Sequence, residues 1–235
     1  MIKYSDIRKI NPYGNFRTKF IVDYLCMPFS PYLSIFFVKK QIRPNTITLL
    51  MIISGVIGAF LFCLPIGIFK LLGLLFYYLW YILDCSDGEV ARVTKTFSKY
   101  GREMDYMAHL ICHPLMNLSL FISYVQLEKY NLEFLSFIFV IFISVELISR
   151  MIIMFSVYSP RENKLGSKTS PIKWYKYIVI QFAIYPNFIL LFPLIYFLDF
   201  WFDINTSWIL LVWLALHSII CLKQIIDFLL YFYRS

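Results

Sequence analysis

DCSDGEVARVTKTFSKYGREMDYMAH, residues 84–109, places three aspartates, an arginine and a histidine where two apolar runs meet. Those runs, about 67–90 and 103–124, are each near the roughly 20 residues that cross a bilayer. The stretch therefore reads as the polar bend of a helical hairpin at a membrane surface. Buried charge is costly unless it is paired or bound to metal, so five such groups gathered there argue for chemistry rather than packing.

Outward from this bend the chain stays apolar. It is 60% hydrophobic, 20% aromatic and only 15% charged, which excludes an ordinary soluble domain. Further runs at about 45–64, 134–157, 178–198 and 206–223 bring the number of expected spans to six. The expected fold class is an all-α polytopic membrane protein of six transmembrane helices, with an N-terminal interfacial amphipathic helix. With the N-terminus in the cytoplasm, all of the 22 lysines and arginines except Lys70, Lys129 and Arg150 fall on the cytoplasmic side, so both termini and the bend are expected there. In a prokaryotic cell this would be the inner membrane. The net charge of +8 is thus a matter of topology, and no nucleic-acid partner is expected.

The organisation is read as 1–44, an N-terminal cytoplasmic and interfacial segment, followed by 45–235, the six-helix domain. The N-terminal 20 residues lack the apolar core of a signal peptide, so the chain is expected to start at Met1. FIVDYLCMPFSPYLSIFFVKKQIRPN, 20–45, mixes aromatics with two prolines and ends in Lys39, Lys40 and Arg43, as suits a helix lying among anionic headgroups. A short extra span is the alternative. The five cysteines are scattered and form no CxxC pair; they read as small apolar fillers rather than a disulfide framework.

On a helix, Asp84, Asp87, Gly88, Ala91 and Arg92 share one face, and Gly101, Asp105 and His109, at steps of four, share another. A hairpin turns these faces together. Three carboxylates that converge repel one another unless a cation lies between them, and oxygen-rich sites suit magnesium or manganese shared with substrate phosphates. Gly88, Ala91 and Gly101 leave room for a ligand close to the backbone, and Arg92 can clamp a phosphate with two parallel bonds.

The spacing Asp84-x2-Asp87-Gly88-x2-Ala91-Arg92-x8-Gly101-x3-Asp105-x3-His109 resembles the motif of the CDP-alcohol phosphatidyltransferase family at every position but the last, where the family has a fourth aspartate. PNTIT, 44–48, resembles the start of that family's first span. The resemblance implies a homodimer, two divalent metals (Mg2+ or Mn2+) and an active site open to the cytoplasm. It also implies Asp84, Asp87 and Asp105 as metal ligands, with Gly88, Ala91, Arg92 and Gly101 lining the groove for the cytidine diphosphate. The donor would be a CDP-alcohol, CDP-diacylglycerol being the commoner one, and a hydroxyl acceptor would displace CMP. This is a phosphotransferase reaction of phospholipid or related lipid and glycan biosynthesis.

His109 stands where the family places its general base. An imidazole can take a proton or bind a metal, so three readings stay open: His109 as base beside Asp105, His109 as a metal ligand, and an impaired enzyme that binds nucleotide or acts as a scaffold. A transporter would place polar residues at mid-membrane in several spans, whereas here they gather at one surface.

Among the remaining polar residues, His113 reads as a packed or hydrogen-bonded helix histidine rather than a further ligand. Glu146 and Arg150, four apart, read as a pair facing the bundle interior, with Arg150 as a possible acceptor contact. His217 reads as a polar contact between helices. Arg161, Lys164 and Lys168 could meet a charged acceptor, while Tyr175, Tyr177, Trp201 and Trp208 read as interfacial anchors.

Overall fold

The computed structural model describes residues 2–11, 21–158, 181 and 185–234. Arg161, Lys164, Lys168, Tyr175 and Tyr177 lie outside the described residues, as does the first part of the fifth expected span. The described chain is helical and contains no strand. Three short helices, α1 (Tyr4–Ile10), α2 (Ile21–Cys26) and α3 (Ser30–Lys39), precede six long ones: α4 (Pro44–Cys63), α5 (Gly67–Thr94), α6 (Gly101–Val125), α7 (Leu132–Tyr158), α8 (Tyr185–Phe202) and α9 (Ser207–Arg234). Each of the six is long and apolar enough to cross a membrane, and the protein is an all-α polytopic membrane protein.

Pro44 opens α4 at its first turn, where a missing N–H costs nothing. The helix packs on α5 and α6, and glycine sets how closely. A Cβ on Gly73 of α5 would lie 2.7 Å from the Phe62 nitrogen and 2.8 Å from the Gly58 carbonyl oxygen, so no side chain fits where the two backbones meet. Close approach through small residues is the usual means of joining helices in lipid. The core between them holds Phe62, Tyr77, Trp80 and Tyr124, with α7 and α9 paired to one side.

Helix α5 runs 28 residues, about 42 Å at 1.5 Å per residue, and so extends past the expected end at residue 90. The whole run Asp84–Arg92 is therefore helical. Lys95, left-handed at φ 56°, ends it, and Asn45 Nδ2 donates to Ser98 Oγ at 3.1 Å, tying the turn to the start of α4.

The N-terminal segment differs from a single interfacial helix. It is broken at 27–29 into α2 and α3, and α3, ten residues long, is too short to cross a bilayer. Its buried face carries two serines among apolar residues: Ser30 and Ser34 donate to the buried Glu89 of α5 at 2.8 and 2.7 Å. Its outer face presents Phe29, Tyr32 and Phe36, all exposed. Arg8 and Asn11 reach the same carboxylate at 3.4 and 3.1 Å, so Glu89 moors the N-terminal segment to the end of α5 that carries the bend.

Candidate active site

The hairpin of α5 and α6 does turn the two faces together. His109 Nε2 lies 3.3 Å from an Asp84 oxygen and 3.5 Å from one of Asp105. One ligating atom from each of Asp84, Asp105 and His109 fits within a 4.8 Å span. Among the described residues neither carboxylate has a hydrogen-bond or ion-pair partner outside this cluster, although the Arg150 guanidinium acts on Asp105 from a distance. Two carboxylates that close need a positive charge between them. Two oxygens and one imidazole nitrogen make a donor set that suits a divalent cation, so the residues present fit the metal that the sequence implies.

Asp87 stands apart from these three. Its carboxylate accepts from the Thr48 hydroxyl at 2.7 Å, and both residues line a cavity of about 560 Å³. Gly88, Ala91, Arg92, Gly101 and Asp105 line it too, which brings all four expected groove residues to one cavity. Lys99 and Arg102 add cations from the turn and the first turn of α6. The nearest atoms a Cβ on Gly88 would meet belong to the flexible Arg92 guanidinium, at 3.0 Å, and the glycine lines the cavity. A concave wall that offers Arg92, Lys99 and Arg102 beside carboxylates is equipped to hold a diphosphate next to a cation.

Behind the cluster the polar residues continue inward. His109 Nδ1 lies 3.1 Å from His113 Nε2, and His113 Nδ1 lies 2.9 Å from Glu146 Oε1, which also accepts from Arg150 Nε at 2.8 Å. The Glu146–Arg150 pair thus forms as its spacing suggested, and His113 is its third member. Trp80 sets its ring edge-on against both histidines. Tyr185 stacks on His113 with ring centroids 3.7 Å apart. His217 packs against Phe142 and Tyr185 within the bundle.

Thr48, Trp80, Glu89 and Tyr185 are neighbours of the site that sequence reasoning did not assign. Thr48 lies in PNTIT, and Ser30 and Ser34, one turn apart among aromatics, hinted at a buried polar partner. Nothing in the sequence pointed to Trp80 or Tyr185, because a single aromatic in an apolar helix carries no signal of what it covers.

Residues 41–221, well over half of the chain, match the family model described as CDP-alcohol phosphatidyltransferase. The match spans the first helix of the bundle, the whole bend and about half of the last helix. No curated protein gives a significant match.

Proposed function

The chain belongs to the CDP-alcohol phosphatidyltransferase family, which transfers a phosphoalcohol from a CDP-alcohol and generally uses divalent metals, and from that premise we propose that it is an active, metal-dependent transferase releasing CMP at the cytoplasmic membrane surface. The observation that carries this reading is the packing of Asp84, Asp105 and His109 ligating atoms within 4.8 Å, next to a cavity walled by Gly88, Ala91, Arg92 and Gly101.

In this reading the CDP part of the donor lies along that wall. Arg92 grips a phosphate with two parallel N–H bonds, which a lysine could not reproduce. Gly88 and Ala91 let the nucleotide approach the α5 backbone. Asp84, Asp87, Asp105 and His109 would hold Mg2+ or Mn2+, one ion or two, and Thr48 fixes the carboxylate of Asp87. Such an ion, when bound, polarises the phosphate and offsets the charge on departing CMP. The acceptor oxygen attacks the phosphorus that carries the donor alcohol, the bond to CMP breaks, and the hydroxyl proton passes to Asp105 or His109. The products are a phosphodiester and CMP.

CDP-diacylglycerol is the favoured donor, phospholipid synthesis the favoured setting and a homodimer the favoured assembly, each on the strength of the family resemblance. The cytoplasmic placement rests on the basic residues Lys39, Lys40, Arg43, Arg92, Lys95, Lys99 and Arg102, all near the end of the bundle that carries the bend. The imidazole at 109 favours one competing reading, a nucleotide-binding scaffold without turnover. A panel of CDP-alcohols and hydroxyl acceptors, assayed for CMP in liposomes with and without chelator, separates the two. Metal-dependent CMP release supports the transferase; donor binding with no release under any pairing supports the scaffold; release undiminished by chelator refutes the metal.

A further inference from the structure

A single file of contacts runs from His109 away from the cavity, through His113, to Glu146 and Arg150. Its geometry fixes where the protons sit. A carboxylate only accepts, so the His113 nitrogen facing Glu146 Oε1 at 2.9 Å, Nδ1, carries hydrogen. A second proton on His113 would bury a cation with no exposure to water, beside an Arg150 already bound to that same carboxylate oxygen. His113 is therefore neutral and its Nε2 holds a lone pair. That lone pair faces His109 Nδ1 at 3.1 Å, so His109 donates there, and Nε2, aimed at Asp84 and Asp105, is the nitrogen left to meet a proton or a metal ion.

Packing holds the planes of both rings. Tyr185 lies flat on His113 at an interplanar angle of 17°, and its hydroxyl donates to the His113 carbonyl at 3.0 Å. Trp80 backs both rings edge-on. A bare lone pair held toward two carboxylates is repulsive, so Nε2 meets either a proton or, in its place, a metal cation.

Resting on the transferase reading above, we propose that His113 and Glu146 are positioning residues that hold His109 in the tautomer protonated at Nδ1, making its Nε2 a nitrogen ligand of the divalent cation at Asp84 and Asp105. The imidazole then serves the metal rather than the acceptor's proton. Asp105, whose side chain is 42% exposed and which lines the cavity, is left to take that proton. Metal-bound imidazole held by a carboxylate behind it is a common arrangement; here one extra histidine is inserted between the two. A nitrogen ligand also favours manganese over magnesium relative to an all-carboxylate site.

The test uses the full chain in detergent with Mn2+ alone as probe, following affinity by titration and the ligand type by the 14N modulation of the Mn2+ electron spin echo. The wild type should show imidazole nitrogen coupling. His109→Asp should bind Mn2+ without that coupling and with its preference moved toward Mg2+. His113→Phe keeps the stack on Tyr185 but removes the acceptor, and should bind Mn2+ about 10- to 100-fold more weakly, the usual effect of removing a group behind a metal ligand. Glu146→Leu serves the same purpose should that ring replacement unfold the chain.

Glu146→Gln should stay near wild type, because both contacts use Oε1 and Oε2 has no partner among the described residues. A purely structural ion pair with Arg150 would instead make Gln and Leu comparably harmful. Mn2+ binding without nitrogen coupling, alongside chelator-sensitive CMP release, overturns the inference and leaves the transferase standing. Unchanged affinity and coupling in both His113→Phe and Glu146→Leu overturns the positioning role. No Mn2+ binding and no CMP release would remove both.

Discussion

The two ends of the helix bundle treat their charges in opposite ways. At the end away from the bend, Asp199 accepts from Lys129 Nζ at 2.7 Å, from the Thr206 amide at 2.9 Å and from the Thr206 hydroxyl. Lys70 is fully buried, yet it donates to the Phe62 carbonyl, Ser123 and Gln126 at 2.8–2.9 Å. These charges are saturated by their own chain. At the bend, Asp84 and Asp105 face each other and one imidazole nitrogen. Saturated charge closes a bundle, whereas charge left short of partners beside a cavity is prepared for something that arrives from outside.

The sharpest way to break this contrast is to make the same substitution at both ends. Asp105→Ala should reduce CMP release about 10³-fold, the worth of several kcal/mol of lost metal stabilisation, while the unfolding midpoint stays level or rises as a repulsion is removed. A large fall in stability would place Asp105 among the structural charges. Asp199→Ala should do the reverse, costing about 3 kcal/mol in denaturant unfolding as the Thr206 amide loses its acceptor and Lys129 loses its buried partner. Its CMP release per folded molecule should match wild type.

Thr48→Val probes the boundary between the two kinds of charge, since Asp87 lines the cavity and also has a hydroxyl fixed on it. Losing a hydrogen bond to a charged group corresponds to about 10-fold here, and it should appear as a raised KM for the donor. An effect on stability alone would class Asp87 with Asp199.

The smallest effect is expected at Asp203, which is exposed and lies 2.6 Å from Lys129. The hydrogen bond from Lys129 holds its carboxyl below the ordinary value, and those the lysine donates to Asp199 and Asp203 hold it above its own. A lowered carboxyl stabilises the fold at neutral pH and loses that contribution as pH falls through the lowered value. The raised lysine contributes at every lower pH and fades only above its usual alkaline range. Asp203→Asn should therefore melt barely below wild type at pH 7, with the gap closing in acid. A gap that widens in acid would contradict the pairing.

Much of this site was legible before any fold was known, because a helix converts spacing into direction. Asp84, Asp87, Gly88, Ala91 and Arg92 had to share a face once α5 was helical, as did Gly101, Asp105 and His109 on α6, and the short turn between them had to bring the faces together. Glu146 and Arg150 were legible for the same reason. What stayed hidden was every partnership between helices distant in sequence. Glu89 sits inside the motif, yet it serves the N-terminal segment. His113 read as an ordinary packed histidine until α7 supplied Glu146.

The sequence by itself determined six membrane-length helices, the end of the bundle that holds the chemistry, and the residue types gathered there, since all three follow from hydropathy, charge and the 3.6-residue repeat. Only the tertiary structure decided that Asp87 turns to Thr48 while Asp84, Asp105 and His109 converge, and that His109 is backed by a buried histidine and carboxylate. Those outcomes depend on which helices lie side by side and how far each is rotated about its axis. Packing of small residues such as Gly58 and Gly73 sets that rotation and distance, and no local pattern encodes it.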